Sequence, residues 1–152
     1  METVMPKPTV KRISTGVTLI EANSLIAAAV RQAEMLGIPM AFVVVDASGH
    51  VVSAQRMESA RFLGIDIALG KAYTAAAFAE PTHIRAEKAK TLLQFTVSLA
   101  AMSSGRYIAQ DGGFPLIRDG VLLGGIGASG GIGEEDDAVL LPAIEAAGFS
   151  NC

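Results

Sequence analysis

Residues Gly112 to Asp137 read GGFPLIRDGVLLGGIGASGGIGEEDD. Asp119-Gly120 separates two apolar runs, Phe114–Ile117 and Val121–Ile126. That is the pattern of a two-residue hairpin with a type I′ turn, both of whose central positions need positive φ. The second arm carries Gly124, Gly125 and Gly127. Glycine weakens a strand interior, so its presence points to a backbone, helix or ligand approaching closely there. A glycine elbow (Gly130, Gly131, Gly133) and an acidic run from Glu134 to Asp137 lead into an apolar-periodic tail.

Gly125 to Gly130 also spells GxGxxG. A dinucleotide site would need the following helix to cross over to a parallel strand, with an acidic residue some twenty positions on. Here the preceding strand closes an antiparallel hairpin and too little chain follows for a crossover. Four carboxylates suit a helix N-terminus but repel a pyrophosphate. These glycines are read as packing residues.

Working outward, Thr18-Leu-Ile-Glu21 has the form of a capping box. Leu19, Ala22, Ile26, Val30, Ala33 and Leu36 follow at helical spacing, with Gly37 and Pro39 as stop signals. Met40–Val45 is a continuous, β-branched apolar run, the pattern of a strand covered on both faces. Asp46 to Gly49 is a turn, and His50–Met57 returns as a second strand. A helix is expected over Gly64–Glu80, stopped by Pro81. Thr82 is expected to cap another across HIRAEKAKTLLQFTVSLAAM, Arg106–Ile108 to form a short strand, and Asp136–Ala147 to form the last helix before Gly148. Helix, hairpin, helices, hairpin, helix describes an α+β fold: about five antiparallel strands with helices packed on them.

The 152 residues suit one domain, with residues 1–14 an extended arm and 15–152 the globular unit. Hydrophobic residues make up 51% and charged ones 18%. Much of the apolar content is alanine and glycine, whose small side chains allow close approach between subunits as well as within one, so a homo-oligomer is expected. A net charge of −3 with scattered Lys and Arg leaves no footprint for nucleic acid. No apolar run approaches the roughly 18 residues needed to span a bilayer, and the first residues lack the apolar core of a signal peptide. The lone Cys152 has no internal partner and is compatible with a reducing compartment, so a cytoplasmic location is expected.

RMESARFLGIDIALGKAYTAAAF (56–78), Pro81-Thr82, GGFPL, RDGVLLGGIGASGG and the trailing EEDD together resemble the GlcG/HbpS family (the DUF336 group), whose domain also forms the C-terminal part of PduO-type proteins. The resemblance covers nearly the whole chain after residue 14. It implies a profilin- or PAS-like fold, assembly into dimers to octamers, and, for some members, binding or degradation of haem. On the family pattern Arg56, Lys71, Thr74, Gly112, Gly113, Pro115, Ser129, Gly130, Gly131 and Asp136 fall on recurring positions. The chain departs at Glu58, where aspartate is usual, and at Ile132, where threonine is common.

Only two histidines are present, which excludes a multi-histidine metal site. His50 follows a turn and reads as a solvated residue. His83 falls in the first turn of a helix, where the dipole disfavours the protonated ring and keeps the imidazole available as ligand or base; an exposed first-turn residue is the plainer reading. Lys71 is an interface cation, a snorkelling surface residue or an anion-binding group. Arg56, Arg85 and Lys71 are candidates for holding haem propionates or a small carboxylate, with salt bridges to Glu58, Asp66 or Glu87 as the alternative. The acidic run reads as a solvated helix start. The expected function is an oligomeric protein binding a small ligand, with haem or a related tetrapyrrole implied by the resemblance. The alternative is a catabolic enzyme acting on a small oxo- or hydroxy-acid, with His83 as base and Arg85 or Lys71 holding the carboxylate.

Overall fold

The computed structural model describes residues 16–152; the arm expected over residues 1–14 lies outside them. The order is α1 (Leu19–Leu36), β1 (Ala41–Asp46), β2 (Val51–Arg56), α2 (Leu63–Phe78), α3 (Thr82–Ala89), α4 (Leu93–Met102), β3 (Gly113–Arg118), β4 (Val121–Ser129) and α5 (Gly133–Ala146). Among the described residues one four-stranded antiparallel sheet forms, in the order β2-β1-β4-β3.

α1 begins as its sequence requires. The Glu21 N–H donates to Thr18 Oγ1 and the Thr18 N–H to Glu21 Oε1, both at 3.1 Å. Gly37 closes the helix at φ 70°, a left-handed conformation glycine adopts without strain. The β3–β4 turn has φ 51° at Asp119 and 73° at Gly120, as a type I′ hairpin demands.

The sheet is covered on both faces. Leu25, Ile26 and Ala29 of α1 and Val139, Leu140 and Ile144 of α5 pack on Phe42, Val44, Leu116 and Ile126. Each large side chain fully buried here is worth roughly 1.5–3 kcal/mol over exposure. On the other face Ala68, Ala72 and Ala76 of α2 meet Val43 and Val45. The Met40–Val45 run is therefore buried on both sides. The β4 glycines make this second contact possible: a Cβ at Gly125 would meet the Ala72 carbonyl, and one at Gly127 the Ala68 carbonyl. α2 lies backbone-to-backbone on β4.

Four expectations need correction. The sheet has four strands, not about five, because Arg106–Ile108 runs against α2 instead of joining a ladder. There the Ile108 N–H donates to Thr74 Oγ1 at 2.9 Å and Ile108 packs over Gly70. The single helix expected after Pro81 is two, broken at Lys90–Leu92. Thr82 caps neither. It is buried, and its hydroxyl accepts from the Gly113 N–H at 2.8 Å, tying α3 to β3. The last helix starts at Gly133, so the acidic run forms its first turn instead of preceding it.

Candidate functional site

Lys71 and Asp136 meet where α2, the end of β4 and the start of α5 converge. Lys71 projects from α2 one turn beyond Ala68, which the Gly127 contact holds against the sheet. Its ammonium donates to Asp136 Oδ2 at 2.8 Å and to the Ala128 carbonyl at 2.9 Å. Asp136 Oδ1 accepts from the Gly131 N–H at 2.9 Å. The two side chains are only 6% and 3% exposed. Lys71 thus finds its partner within the chain, and Asp136 is not solvated as the sequence suggested. Burial pushes the Asp136 carboxyl above its ordinary range, against the pull of Lys71 and the Gly131 N–H. Gly112, at φ 102°, closes over the pair: a Cβ there would lie 2.9 Å from Lys71 Nζ. The pair borders a cleft of about 420 Å³ between the 59–64 segment and Ser129–Gly131.

His83 lies in a different depression. It is exposed in the first turn of α3, with its ring edge-on to Phe114 at 6.4 Å between centroids. It borders an open hollow of about 590 Å³ with Ile84, Ala86, Lys88, Lys90 and Asp111. Asp137 is nearby. Burial first, then the charge of Asp111, raises its carboxyl, while the Gly112 N–H and His83 act the other way. Its Oδ1 is buried without a hydrogen-bond partner among the described residues.

Arg85 is not free to hold a ligand. Its guanidinium donates to the Tyr107 hydroxyl and to Glu80 Oε1, each at 3.0 Å, and stacks 4.0 Å over Phe78. It is 6% exposed and pins the 103–108 segment to the end of α2. Thr74 is fully buried and serves the Ile108 N–H. Arg56 is exposed on β2 and donates to the Ala60 carbonyl at 2.9 Å. His50 is exposed beside the Asp46 turn. The structure therefore separates His83 from Lys71, and buries Arg85 and Thr74 in structural contacts.

Sequence reasoning missed Lys88, Lys90, Asp111 and Asp137 around His83. The lysines were within reach, since positions five and seven after a first-turn histidine stay on the same short helix or its end. Asp111 arrives from the other side of the chain and carried no local signal. Among the described residues no group of three or more His, Cys, Asp and Glu is placed to hold a metal ion, and no helix is long and apolar enough to cross a membrane.

The sequence model of the haem-degrading HbpS-like proteins matches residues 17–145. The chain is 36% identical over 129 residues to the corrinoid adenosyltransferase PduO of Citrobacter freundii. That match takes in 83% of this chain but only 37% of PduO, so the chain spans little more than a third of that relative. An uncharacterized 15.0 kDa protein of Citrobacter freundii, from a dhaT–dhaS intergenic region, is 31% identical over 85% of this chain and 90% of its own length. Among solved structures, that of a PduOC–haem complex superposes with a TM-score of 0.77 at 30% identity, over 90% of this chain and 99% of that one. The structure of HbpS superposes with a TM-score of 0.76 at 26% identity, over 94% and 97%.

Proposed function

The chain belongs to the HbpS-like family, and from that premise we propose that it is a cytoplasmic, self-associating protein that binds haem or a related tetrapyrrole on a profilin- or PAS-like scaffold, with His83 as the residue that would hold the iron. The observation that carries the reading is the exposed His83 imidazole at the border of the α3 hollow, with Ile84 and Ala86 beside it and the ammonium groups of Lys88 and Lys90 on the same side. These residues fit the group. Haem supplies an iron that takes an imidazole nitrogen and a flat apolar ring that rests on aliphatic surface. Its propionates seek ammonium groups. The hollow is open, as a reversible site for a wide planar ligand needs to be. The haem complex of PduOC, on the same fold, supports the choice of ligand.

In this arrangement His83 would offer the iron a ring nitrogen from the exposed first turn of α3. Lys88, beside the half-buried Glu80, and Lys90, paired with the exposed Glu87, would hold the propionates. Lys71, Arg85, Arg56 and Thr74, the other expected ligand contacts, play no part here, because none borders the hollow.

The alternative enzyme loses the two carboxylate holders expected for it. The cations assigned to a His83 base are both engaged elsewhere: Arg85 is held by Tyr107 and Glu80, and Lys71 opens to the other cleft, so among the described residues only Lys88 and Lys90 face a substrate in the hollow.

A haemin titration followed at the Soret band tests the proposal. The wild type is expected to shift the band to that of an imidazole-ligated haem, and His83→Ala to lose that shift. Lys88→Glu with Lys90→Glu is expected to keep the band position while weakening binding roughly tenfold. A wild-type spectrum no different from free haemin would overturn the reading, as would an unchanged spectrum in His83→Ala.

A further inference from the structure

The cleft above Lys71 and Asp136 is separate from the His83 hollow, and its chemistry differs. Lys71 is 5% exposed, yet it lines the cleft. An ammonium has three donors, and among the described residues only two find acceptors, Ala128 O and Asp136 Oδ2. Arg61, exposed at the rim, adds a second cation. The start of α2, at Leu63 and Gly64, forms one wall; the Gly64 N–H is taken by the Arg61 carbonyl at 2.9 Å, and the helix dipole leaves a partial positive charge at this end. Asp66, the acidic residue of that first turn, does not line the cleft. Asp136 cancels one unit of positive charge and leaves one. Ser59, which helps to shape the rim, sits at φ 68°, a strained position for a non-glycine residue.

We propose that this cleft binds a small monoanionic carboxylate, its oxygens held by the free Lys71 donor and the Arg61 guanidinium, with the Ser129 region closing over its body. About 420 Å³ leaves ample room for a small organic acid. One net positive charge matches one carboxylate. A dianion such as phosphate would face the Asp136 carboxylate and be repelled.

Amide proton–nitrogen spectra of the full chain, titrated with sodium L-lactate at constant ionic strength, test this. Saturable shifts are expected at Gly64, Ser129 and Gly131, and none with lactamide, which keeps the shape and lacks the charge. Arg61→Ala is expected to weaken lactate roughly tenfold and to leave the thermal midpoint unchanged, since Arg61 is exposed. His83→Ala is expected to leave the lactate response intact, which separates this site from the haem reading. The proposal is overturned by shifts that never saturate, by an equal response to lactamide, by tighter binding of inorganic phosphate, or by unaltered affinity in Arg61→Ala.

Discussion

The Lys71 ammonium and the Asp136 carboxylate, 65 positions apart in the chain, stand 2.8 Å from each other almost out of reach of water. A buried ion pair gains little over apolar packing, but removing one partner strands the other charge. Lys71→Met is therefore expected to lower unfolding stability by about 3–5 kcal/mol, and the double variant Lys71→Met/Asp136→Leu to recover most of that loss. Denaturant unfolding of the three proteins measures it. A single variant within about 1 kcal/mol of wild type would show that water reaches the pair.

Asp137 gives a pH-dependent prediction. Its carboxyl is raised above 3.8 in the folded chain, so the folded state binds the proton more readily than the unfolded one. The resulting penalty is present above the folded value and disappears as pH falls through the window down to 3.8. Asp137→Asn is expected to melt higher than wild type at pH 7.5 and together with it near pH 3.5. Thermal melts at the two pH values decide; a variant that melts lower than wild type at pH 7.5 contradicts the prediction.

At Gly127 an added methyl would press on the Ala68 carbonyl, which is backbone and unable to turn away. Gly127→Ala is expected to cost about 3 kcal/mol or more. Gly120→Ala, in open space but at φ 73°, should cost about 1 kcal/mol. Chemical unfolding ranks the two, and equal losses would mean that α2 lifts off the sheet easily.

α4, LQFTVSLAAM, carries no charge and none of its residues is buried. Leu93 is 67%, Phe95 50% and Val97 58% exposed. A helix exposing this many large apolar side chains is normally covered, and two uncharged copies meet without repulsion. Self-association through α4 is expected, giving a mass by light scattering that is a multiple of 15.7 kDa. Phe95→Glu with Val97→Glu should return it to 15.7 kDa; a wild-type protein already at that mass would refute the idea.

What the sequence made legible was local. Asp119-Gly120, the Thr18 capping box and the valines of β1 each state their conformation within a few residues, and the hairpins followed from them. The β4 glycines announced a close neighbour without naming it; α2 fills that role. The Lys71 partnership was hidden by distance along the chain. One clue was available: Asp136 precedes Val139, Leu140 and Ala143 by three, four and seven positions, which puts it on the buried face of α5. Reading the four acidic residues as one solvated block passed over that periodicity. Arg106–Ile108 misled in the opposite sense, because a β-prone triplet was satisfied by the Thr74 hydroxyl instead of a strand. Around His83, Asp111 and Asp137 converge from separate elements, a proximity that no spacing encodes.

The seating of α2 directly on the β4 backbone has a mechanical corollary. Ordinary helix–sheet layers are cushioned by interlocking side chains, which can change rotamer and let the layers shift. Between Ala68, Ala72 and the glycines beneath them there is no such cushion. Lys71, on the same turn, is thereby anchored to the sheet as rigidly as the strands are to each other. Any widening of the cleft to admit or release a guest must be carried by the 59–62 segment and its strained Ser59, leaving the cation stationary while the opposite wall moves.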